Sequence, residues 1–348
     1  MIRTLEPLLI PVAALAFSLL LFAVFVAAAG ADAIGVFESM YRGAFGTWFS
    51  WQNTLGGAAP LMLTALCTAL PARIGLIVIG AEGAVVVGGV SAALTGLALQ
   101  GASPSLAIPA MALAAMTAGG VWIGLAGALR HYRGVNETIS SLLLNYIAIA
   151  VMSFLVFGML RDPATLNKPS TYPIGEAFML SPLGDTSIHG GFMLGIGACI
   201  LLWLLMRHTP FGFAVDIAGG NMRAARLVGL PVGRLVVITC LLAGAAAGLA
   251  GMVEVAAVHG RANTSLNAGY GYQGILVAFL ARHNPLAIIP VAILFGGISA
   301  SNGLLQRDHE LPDATGLVLQ GIIFIVILVS EAWYGRLNEL LGTKRPTA

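Results

Sequence analysis

Long apolar runs dominate this chain and alternate with short segments that carry almost all of its charged residues. Several runs reach the roughly 20 residues that a helix needs to cross the hydrocarbon core of a bilayer. The pattern predicts an all-α polytopic membrane protein with about ten transmembrane helices, some of them broken or re-entrant. The predicted crossings are residues 8–29, 55–74, 76–98, 106–129, 138–158, 190–206, 234–256, 272–282, 285–304 and 315–332.

The composition supports this class of protein and argues against others. Hydrophobic residues make up 58% of the chain and charged residues only 9%, whereas soluble domains carry about 25% charged residues. A net charge of +2 and scattered basic residues give no basis for nucleic-acid binding. The three cysteines lie singly inside apolar runs and the histidines lack metal-ligand spacing, so we expect neither a disulfide framework nor a metal site.

The basic residues are distributed unevenly between the loops. If the N-terminus is cytoplasmic, five of the 17 Lys and Arg residues fall on the outer side and the others on the cytoplasmic side. This asymmetry follows the positive-inside rule. Ten crossings place both termini in the cytoplasm, and we expect the first apolar run to be a retained span rather than a cleaved signal. Five crossings in each half suit an inverted repeat.

Three connecting segments are long enough to hold structure within what we expect to be a single transmembrane domain over residues 1–348. Residues 30–54 mix aromatic and charged side chains and suit an amphipathic helix at the outer interface. Residues 159–189 contain four prolines and have the turn chemistry of an outer loop. Residues 207–233 form the longest cytoplasmic connection.

A short surface helix is predicted within that cytoplasmic connection, at NMRAARLVG. Asn221 can cap its N-terminus, and Gly229 followed by Pro231 ends it. Met222 and Ala225 fall on one face by helical spacing, and we expect alanine and methionine side chains to be exposed. Such a helix suits a groove in another protein. The alternative is a connection that packs against its own membrane domain.

Glu82 is the one carboxylate in GLIVIGAEGAVVVGG, where it lies between Gly80 and Gly83. An ionised acid at the centre of a membrane helix costs roughly 2.5–3.5 kcal/mol, so Glu82 must face protein or water, or be protonated. One interpretation is a pore-side acceptor for hydroxyl or ring N–H groups of a neutral polar substrate. The other, which we favour, is an acceptor for backbone N–H groups freed where the helix breaks at the two glycines.

Polar residues recur in GVNETISSLLLNYIA, at the start of the fifth predicted crossing. Asn136 and Glu137 precede this helix, where a carboxylate is stabilised by the helix dipole and capping is the expected role. Asn145 lies deeper in the span and is the better candidate for a residue that lines a pore. Glu254 lies near the outer end of its own span, where we expect it to reach the interface.

Four blocks, in order within residues 55–305, resemble permease subunits of ATP-binding-cassette importers of the branched-chain amino acid, ribose and nucleoside family. IGLIVIGAEGAVVVGG is similar to "GLFNIGAEGQ" in the simple-sugar and nucleoside branch, which works with binding lipoproteins. The segments GVNETISSLLLNYIA and GYGYQGILVAFLARHNPLAIIPVAILFGGI resemble two further blocks of that branch, and GGNMRAARLVGLPVGR with LLAGAAAGLAG resembles the family's coupling segment. The chain departs from the branch at Val78, Ala84, Arg282 and His283, and the first two replace polar residues beside Glu82.

The resemblance implies a permease subunit of about ten spans that forms half of a translocation pore. Its expected partners are a second, related permease in a heterodimer, a cytoplasmic ATP-binding subunit, an extracytoplasmic substrate-binding lipoprotein or periplasmic protein, and the lipid of a bacterial inner membrane. The chain would be no enzyme and would bind no cofactor, because ATP and Mg²⁺ would be held by the ATPase, and no GxxxxGK[ST] motif occurs.

The same resemblance assigns two sets of site residues. Those that map onto the ATPase-coupling segment are Gly220, Asn221, Arg223, Ala224, Ala225 and Gly229. Those that map onto polar or helix-breaking membrane positions are Gly80, Glu82, Gly83, Asn136, Glu137 and Asn145.

The expected function is import of nucleosides or related neutral polar solutes. One alternative is import of simple sugars of the ribose or galactose type. Another is proton-coupled secondary transport with Glu82 or Glu254 as the coupling acid, and a membrane scaffold would leave the broken helices unexplained. The surface helix at 221–229 distinguishes these classes, because a self-sufficient transporter does not need it.

Overall fold

The computed structural model of the protein describes residues 2–165 and 168–331. Over that part of the chain the regular structure is helical, apart from two isolated β-bridges. The α-helices are α1 (Ile2–Ala28), α2 (Ala33–Tyr41), α3 (Trp48–Arg73), α4 (Ala81–Ala98), α5 (Pro104–Arg133), α6 (Glu137–Phe157), α7 (Gly191–His208), α8 (Pro210–Gly220), α9 (Met222–Leu227), α10 (Val232–Val253), α11 (Tyr270–Leu280), α12 (Pro285–His309) and α13 (Ala314–Glu331). Two π-helical turns (Arg42–Gly46 and Glu254–His259) and two 3₁₀ turns (Glu176–Phe178 and Thr264–Leu266) complete it.

Seven helices in the described chain are long and apolar enough to cross a membrane, judged by length and composition. They are α3 to α7, α10 with its π-helical extension, and α12. Shorter apolar helices, Val12–Ala28 and Ala314–Ser330, lie at the first and last predicted crossings, and α11 has only 11 residues. The all-α polytopic class is therefore confirmed, while ten crossings and the inverted repeat stay predictions.

The chain divides into two compact units, one containing Met1–Ser50 with Ile298–Ala348 and the other Trp51–Gly297. In the first unit, α1 packs against α13. In the second unit, α4, α5 and α10 form the central packing, and a side chain added at Gly88 or Gly119 would collide with the α10 backbone at Gly248. Small residues allow such close packing between membrane helices. The single domain over 1–348 stays a prediction.

Local sequence chemistry sets several helix ends. Asp32 caps α2 by accepting hydrogen bonds from the N–H groups of the second and third helical residues. Pro104 begins α5, and Gly134 ends it in the left-handed conformation with φ of 69°. Asn136 then caps α6, only two residues later, so the turn between these two helices is very short.

Two segments differ from the predicted boundaries. The helix expected over 76–98 begins at Ala81, and residues 76–80 are non-helical. The amphipathic helix expected over 30–54 is shorter, because α2 ends at Tyr41 and α3 already begins at Trp48. In the described part of the loop over 159–189, backbone hydrogen bonds connect the loop to residues 256–262; for example, Thr171 N–H donates to Ala262 O at 2.9 Å.

We predict that the loop over 159–189 is outside the cell and that α9 is cytoplasmic, as the charge asymmetry requires. Ala177 and Ala224 are exposed alanines in these two segments, so Ala177→Cys and Ala224→Cys replace no packed side chain. In intact cells an impermeant maleimide should label the first variant and leave the second unlabelled until the cells are permeabilised.

The wild-type chain serves as the control, because Cys67, Cys199 and Cys240 are buried and should not react. Labelling of Ala224→Cys but not Ala177→Cys in intact cells would invert the orientation. The basic tail GTKRPTA lies outside the described residues, and the cytoplasmic placement of both termini stays a prediction.

Candidate functional site

Three backbone groups of the non-helical segment at 76–80 hydrogen-bond to side chains on one face of α6. Thr138 Oγ1 donates to Ile77 O at 2.8 Å, and Ser141 Oγ accepts from Ile79 N–H at 3.1 Å. The Asn145 side chain donates to Ile79 O at 2.7 Å. These three side chains are spaced at i, i+3 and i+7, which puts them on the same face of α6. They supply the hydrogen bonds that a continuous helix would have made within itself.

Asn145 also fixes the start of α4. Its Oδ1 accepts a hydrogen bond of 2.8 Å from Gly83 N–H, and the asparagine is fully buried. A Cβ at Gly83 would lie 2.8 Å from this same oxygen, and one at Gly80 would lie 3.0 Å from the Ser141 Cβ. The two glycines therefore permit the close approach of α4 to α6.

Asn136 and Glu137 have different roles at the start of α6. Asn136 caps the helix, with Oδ1 accepting from Thr138 N–H at 2.9 Å and Ile139 N–H at 3.1 Å. Glu137 lies 3.2 Å from the Arg130 guanidinium in an ion pair, and its other oxygen is 3.4 Å from Ile77 N–H. Glu137 thus links α5 to the non-helical segment, and the capping expected of it is done by its neighbour.

Glu82 is fully buried in the first turn of α4 and binds the start of another helix. Its Oε1 accepts from Gly269 N–H at 2.8 Å and its Oε2 from Gly271 N–H at 2.5 Å. Both donors are at the N-terminus of α11, where a carboxylate is stabilised by free N–H groups and by the helix dipole. Glu82 does accept backbone N–H groups, but the donors are not the residues of its own helix at Gly80 and Gly83 as expected.

Tyr270, between those two glycines, is held by two further side chains. Thr64 Oγ1 in α3 donates to Tyr270 O at 3.0 Å, and the Tyr270 hydroxyl hydrogen-bonds with Glu254. Glu254 is 3% exposed and lies 3.6 Å from His259 Nε2. The expectation that Glu254 reaches the interface is wrong, because its carboxylate packs against the start of α11.

Sequence reasoning missed Thr64, Ser141 and Tyr270 as members of this cluster. Each carries a hydroxyl group inside or beside a predicted crossing, and this is the signal that could have indicated them. A membrane-embedded hydroxyl usually bonds within its own helix, so the residue type alone does not point to a partner elsewhere in the chain.

The cytoplasmic connection contains two helices where one was predicted. Thr209 caps α8 through a hydrogen bond to Gly212 N–H at 3.3 Å, and Pro210 is its first residue. Gly220 ends α8, and Asn221 immediately caps α9 by accepting from Arg223 N–H at 2.9 Å. The Thr-Pro pair at the start of α8 is a signal for a helix start, and it could have predicted this helix from the sequence.

The exposure of α9 differs from the prediction at Ala225, which is buried, and at Met222, which is half-buried. Arg223 and Ala224 are exposed, whereas Ala225 is 0% exposed and packs against its own chain. Leu227 and Val228, at the end of this helix, are 89% and 72% exposed. These two apolar side chains, and not that of Ala225, are exposed at this end of the segment. Gly229 has φ of 83° and ends the segment.

The sequence comparisons agree with this architecture. Residues 50–328 match the family described as branched-chain amino acid transport system / permease component. The chain belongs to this family, as the four sequence blocks predicted.

Three relatives extend over most of the chain. The glucose ABC transporter permease protein TsgB13 of Haloferax volcanii is 29% identical over 86% of this chain and 81% of its own length. The guanosine ABC transporter permease protein NupP of Bacillus subtilis is 27% identical over 95% of this chain and 96% of its own. The nucleoside ABC transporter permease protein NupB of Lactococcus lactis is 27% identical over 91% of this chain and 90% of its own length.

The chain is therefore the permease subunit of an ATP-binding-cassette transporter, a membrane transport protein that is not itself catalytic. The family implies a partner ATPase and a substrate-binding protein. Among the described residues, no group of three His, Cys, Asp or Glu side chains is arranged to hold a metal ion.

We predict that Glu82→Gln destabilises the protein and that Glu82→Leu destabilises it further. Glu82→Gln retains one acceptor and places an amide N–H₂ against the other N–H group, whereas Glu82→Leu leaves both buried N–H groups unpaired. Each unpaired group costs about 1–3 kcal/mol. The melting temperature of the purified protein should therefore fall in the order wild type, Glu82→Gln, Glu82→Leu.

The matched control is Glu176, an exposed glutamate in the outer loop, where the same two substitutions should leave the melting temperature unchanged. A Glu82→Gln variant that is as stable as wild type but inactive in transport would contradict the structural role. That result would favour a proton-coupling function for the carboxylate.

Proposed function

We propose that this chain imports nucleosides or related neutral polar solutes as half of the translocation pore of an ATP-binding-cassette importer. The observation that carries the substrate class is the similarity to NupP and NupB over 95% and 91% of this chain. Both relatives are nucleoside or guanosine permeases by name, and the similarity extends through the interrupted segments as well as the long helices.

The proposed assembly contains a second, related permease in a heterodimer, an ATPase that holds ATP and Mg²⁺, and an extracytoplasmic substrate-binding lipoprotein. A heterodimer is supported by the second Bacillus subtilis guanosine permease, NupQ, which is 26% identical over 79% of this chain. The proposed location is the inner membrane, with α8 and α9 facing the cytoplasm. ATP hydrolysis by the partner would reach the pore through these two helices.

Contact with the ATPase is supported by the exposure pattern of α9. Leu227 and Val228 are large apolar side chains on a short helix outside the membrane-crossing segments, where water would otherwise cover them. Exposed apolar side chains of this kind serve as anchors at protein interfaces. Arg223 and Arg226 are also exposed on α9 and would pair with acidic groups at the rim of the contact.

A second candidate is import of a simple sugar. It is supported by the Haloferax volcanii glucose permease, which is 29% identical to this chain. Proton-coupled secondary transport has less support, because both Glu82 oxygens accept backbone N–H groups and are thus engaged in holding α11.

The substrate class can be tested with the complete complex in proteoliposomes. The four components are the two permeases, the ATPase and the binding protein, and the probes are radiolabelled guanosine and cytidine with glucose as the alternative substrate. We expect ATP-dependent uptake of nucleosides that a tenfold excess of glucose does not reduce. Uptake of glucose without nucleoside uptake would replace the proposed substrate by the sugar.

Coupling can be tested separately from substrate choice. In Leu227→Asp, a charge replaces an apolar anchor, and burying that charge in the ATPase contact is strongly unfavourable. We expect co-purification with the ATPase and substrate-stimulated hydrolysis to fall by about tenfold or more. Insertion and melting temperature of the permease should stay unchanged, because Leu227 is 89% exposed within this chain.

The control for this experiment is Ile34→Asp, which makes the same chemical change at a residue that is 80% exposed in the predicted outer segment. It should leave hydrolysis intact. If Leu227→Asp leaves both co-purification and stimulation at the wild-type level, α9 is not the coupling element.

A further inference from the structure

An open cavity of about 470 Å³ lies where four elements of the second unit meet. It is lined by the end of α3, the last turn of α7, α8, and the connection between α11 and α12. Three of its lining residues are arginines, Arg73, Arg207 and Arg282, and one is an aspartate, Asp216. The lining therefore carries an excess of two positive charges.

The aspartate of the lining lies near one of its three arginines. Asp216 lies 3.7 Å from the Arg73 guanidinium, and the two side chains are 52% and 30% exposed. Arg207 instead lies 5.7 Å from the centroid of the Trp203 ring, a cation–π contact that leaves its N–H donors available for an anion. The cavity thus presents a planar guanidinium that is already oriented by an aromatic ring.

The third arginine is on a strained part of the backbone. Arg282 and His283 have φ of 52° and 55°, a conformation that residues other than glycine rarely adopt. Such strain is retained where the surrounding structure requires it and is frequent at ligand sites. These two residues are also where the chain departs from the pattern of the branch that it resembles.

An exposed apolar stripe on α7 leads to this cavity. Ile200 and Leu204 are 42% and 43% exposed, and they share a helix face with Trp203 and Arg207 at the spacing i, i+3, i+4 and i+7. The membrane window of α7 is only 33% buried within the chain. An apolar stripe that ends in tryptophan and arginine at the end of a membrane helix matches the boundary between acyl chains and headgroups.

We propose that this cavity binds the phosphate headgroup of an anionic phospholipid, with an acyl chain along Ile200 and Leu204. Arginine guanidinium groups bind phosphate through paired N–H donors, and basic pockets at the ends of membrane helices bind such headgroups. The cavity lies at the end of a lipid-facing helix surface that finishes in Trp203 and Arg207, and this continuity favours a lipid headgroup over an acidic side chain of the ATPase. The inference does not depend on which solute the permease transports.

The site can be tested by native mass spectrometry of the full-length complex in detergent, titrated with phosphatidylglycerol and, as the neutral lipid, phosphatidylcholine. Wild type should retain one phosphatidylglycerol per chain in preference to phosphatidylcholine. The double variant Arg207→Gln/Arg282→Gln removes two positive charges and should weaken phosphatidylglycerol binding by about tenfold or more. Arg73 is left unchanged because its ion pair with Asp216 joins α3 to α8.

The matched control is Arg133→Gln/Arg234→Gln, which removes the same charge from two exposed arginines outside the cavity and should bind as wild type does. Equal phosphatidylglycerol retention by the cavity variant and the control overturns the proposal. Displacement of the lipid by glycerol phosphate at equal concentration would assign the cavity to a soluble phosphate instead. Normal lipid binding with loss of ATPase co-purification in the cavity variant would assign it to the ATPase contact, which also overturns the lipid.

Discussion

The second unit depends on one constraint, that backbone N–H and C=O groups at membrane depth must find partners within the protein. The chain leaves the helical path at residues 76–80, and a helix break in lipid would expose several such groups. Thr138, Ser141 and Asn145 supply partners from one face of α6. The arrangement of α4 against α6 follows from these hydrogen bonds, and Gly80 and Gly83 make room for it.

The same constraint links the two interrupted segments of the chain. The side chain of Glu82, in the first turn of α4, accepts hydrogen bonds from the free N–H groups at the start of α11. The first of these donors, Gly269, is 187 residues further along the chain. A carboxylate is the residue type best suited to two convergent donors, because it offers two acceptor oxygens and no donor. These two hydrogen bonds connect the start of α4 to the start of α11.

Outside the membrane-crossing helices, two short helices begin at residues whose side chains cap them. α8 and α9 are short and each is capped by a side chain, Thr209 in one case and Asn221 in the other. Capping helps a short helix to form without extensive packing. This explains how Leu227 and Val228 can be exposed at the end of α9 while the Ala225 side chain is buried against the rest of the chain.

The amino-acid sequence by itself determined the all-α membrane class, the membership of the permease family, the cap at Asn221 and the break near Glu82. Each depends on local composition, on spacing or on a contiguous motif, and so can be recognised without knowing which distant residues are in contact. Only the tertiary structure decided that Glu82 binds Gly269 and Gly271, and that Glu254 is buried beside Tyr270. These contacts join residues that are far apart in the chain, and a buried polar group gives no sign in sequence of which distant partner satisfies it.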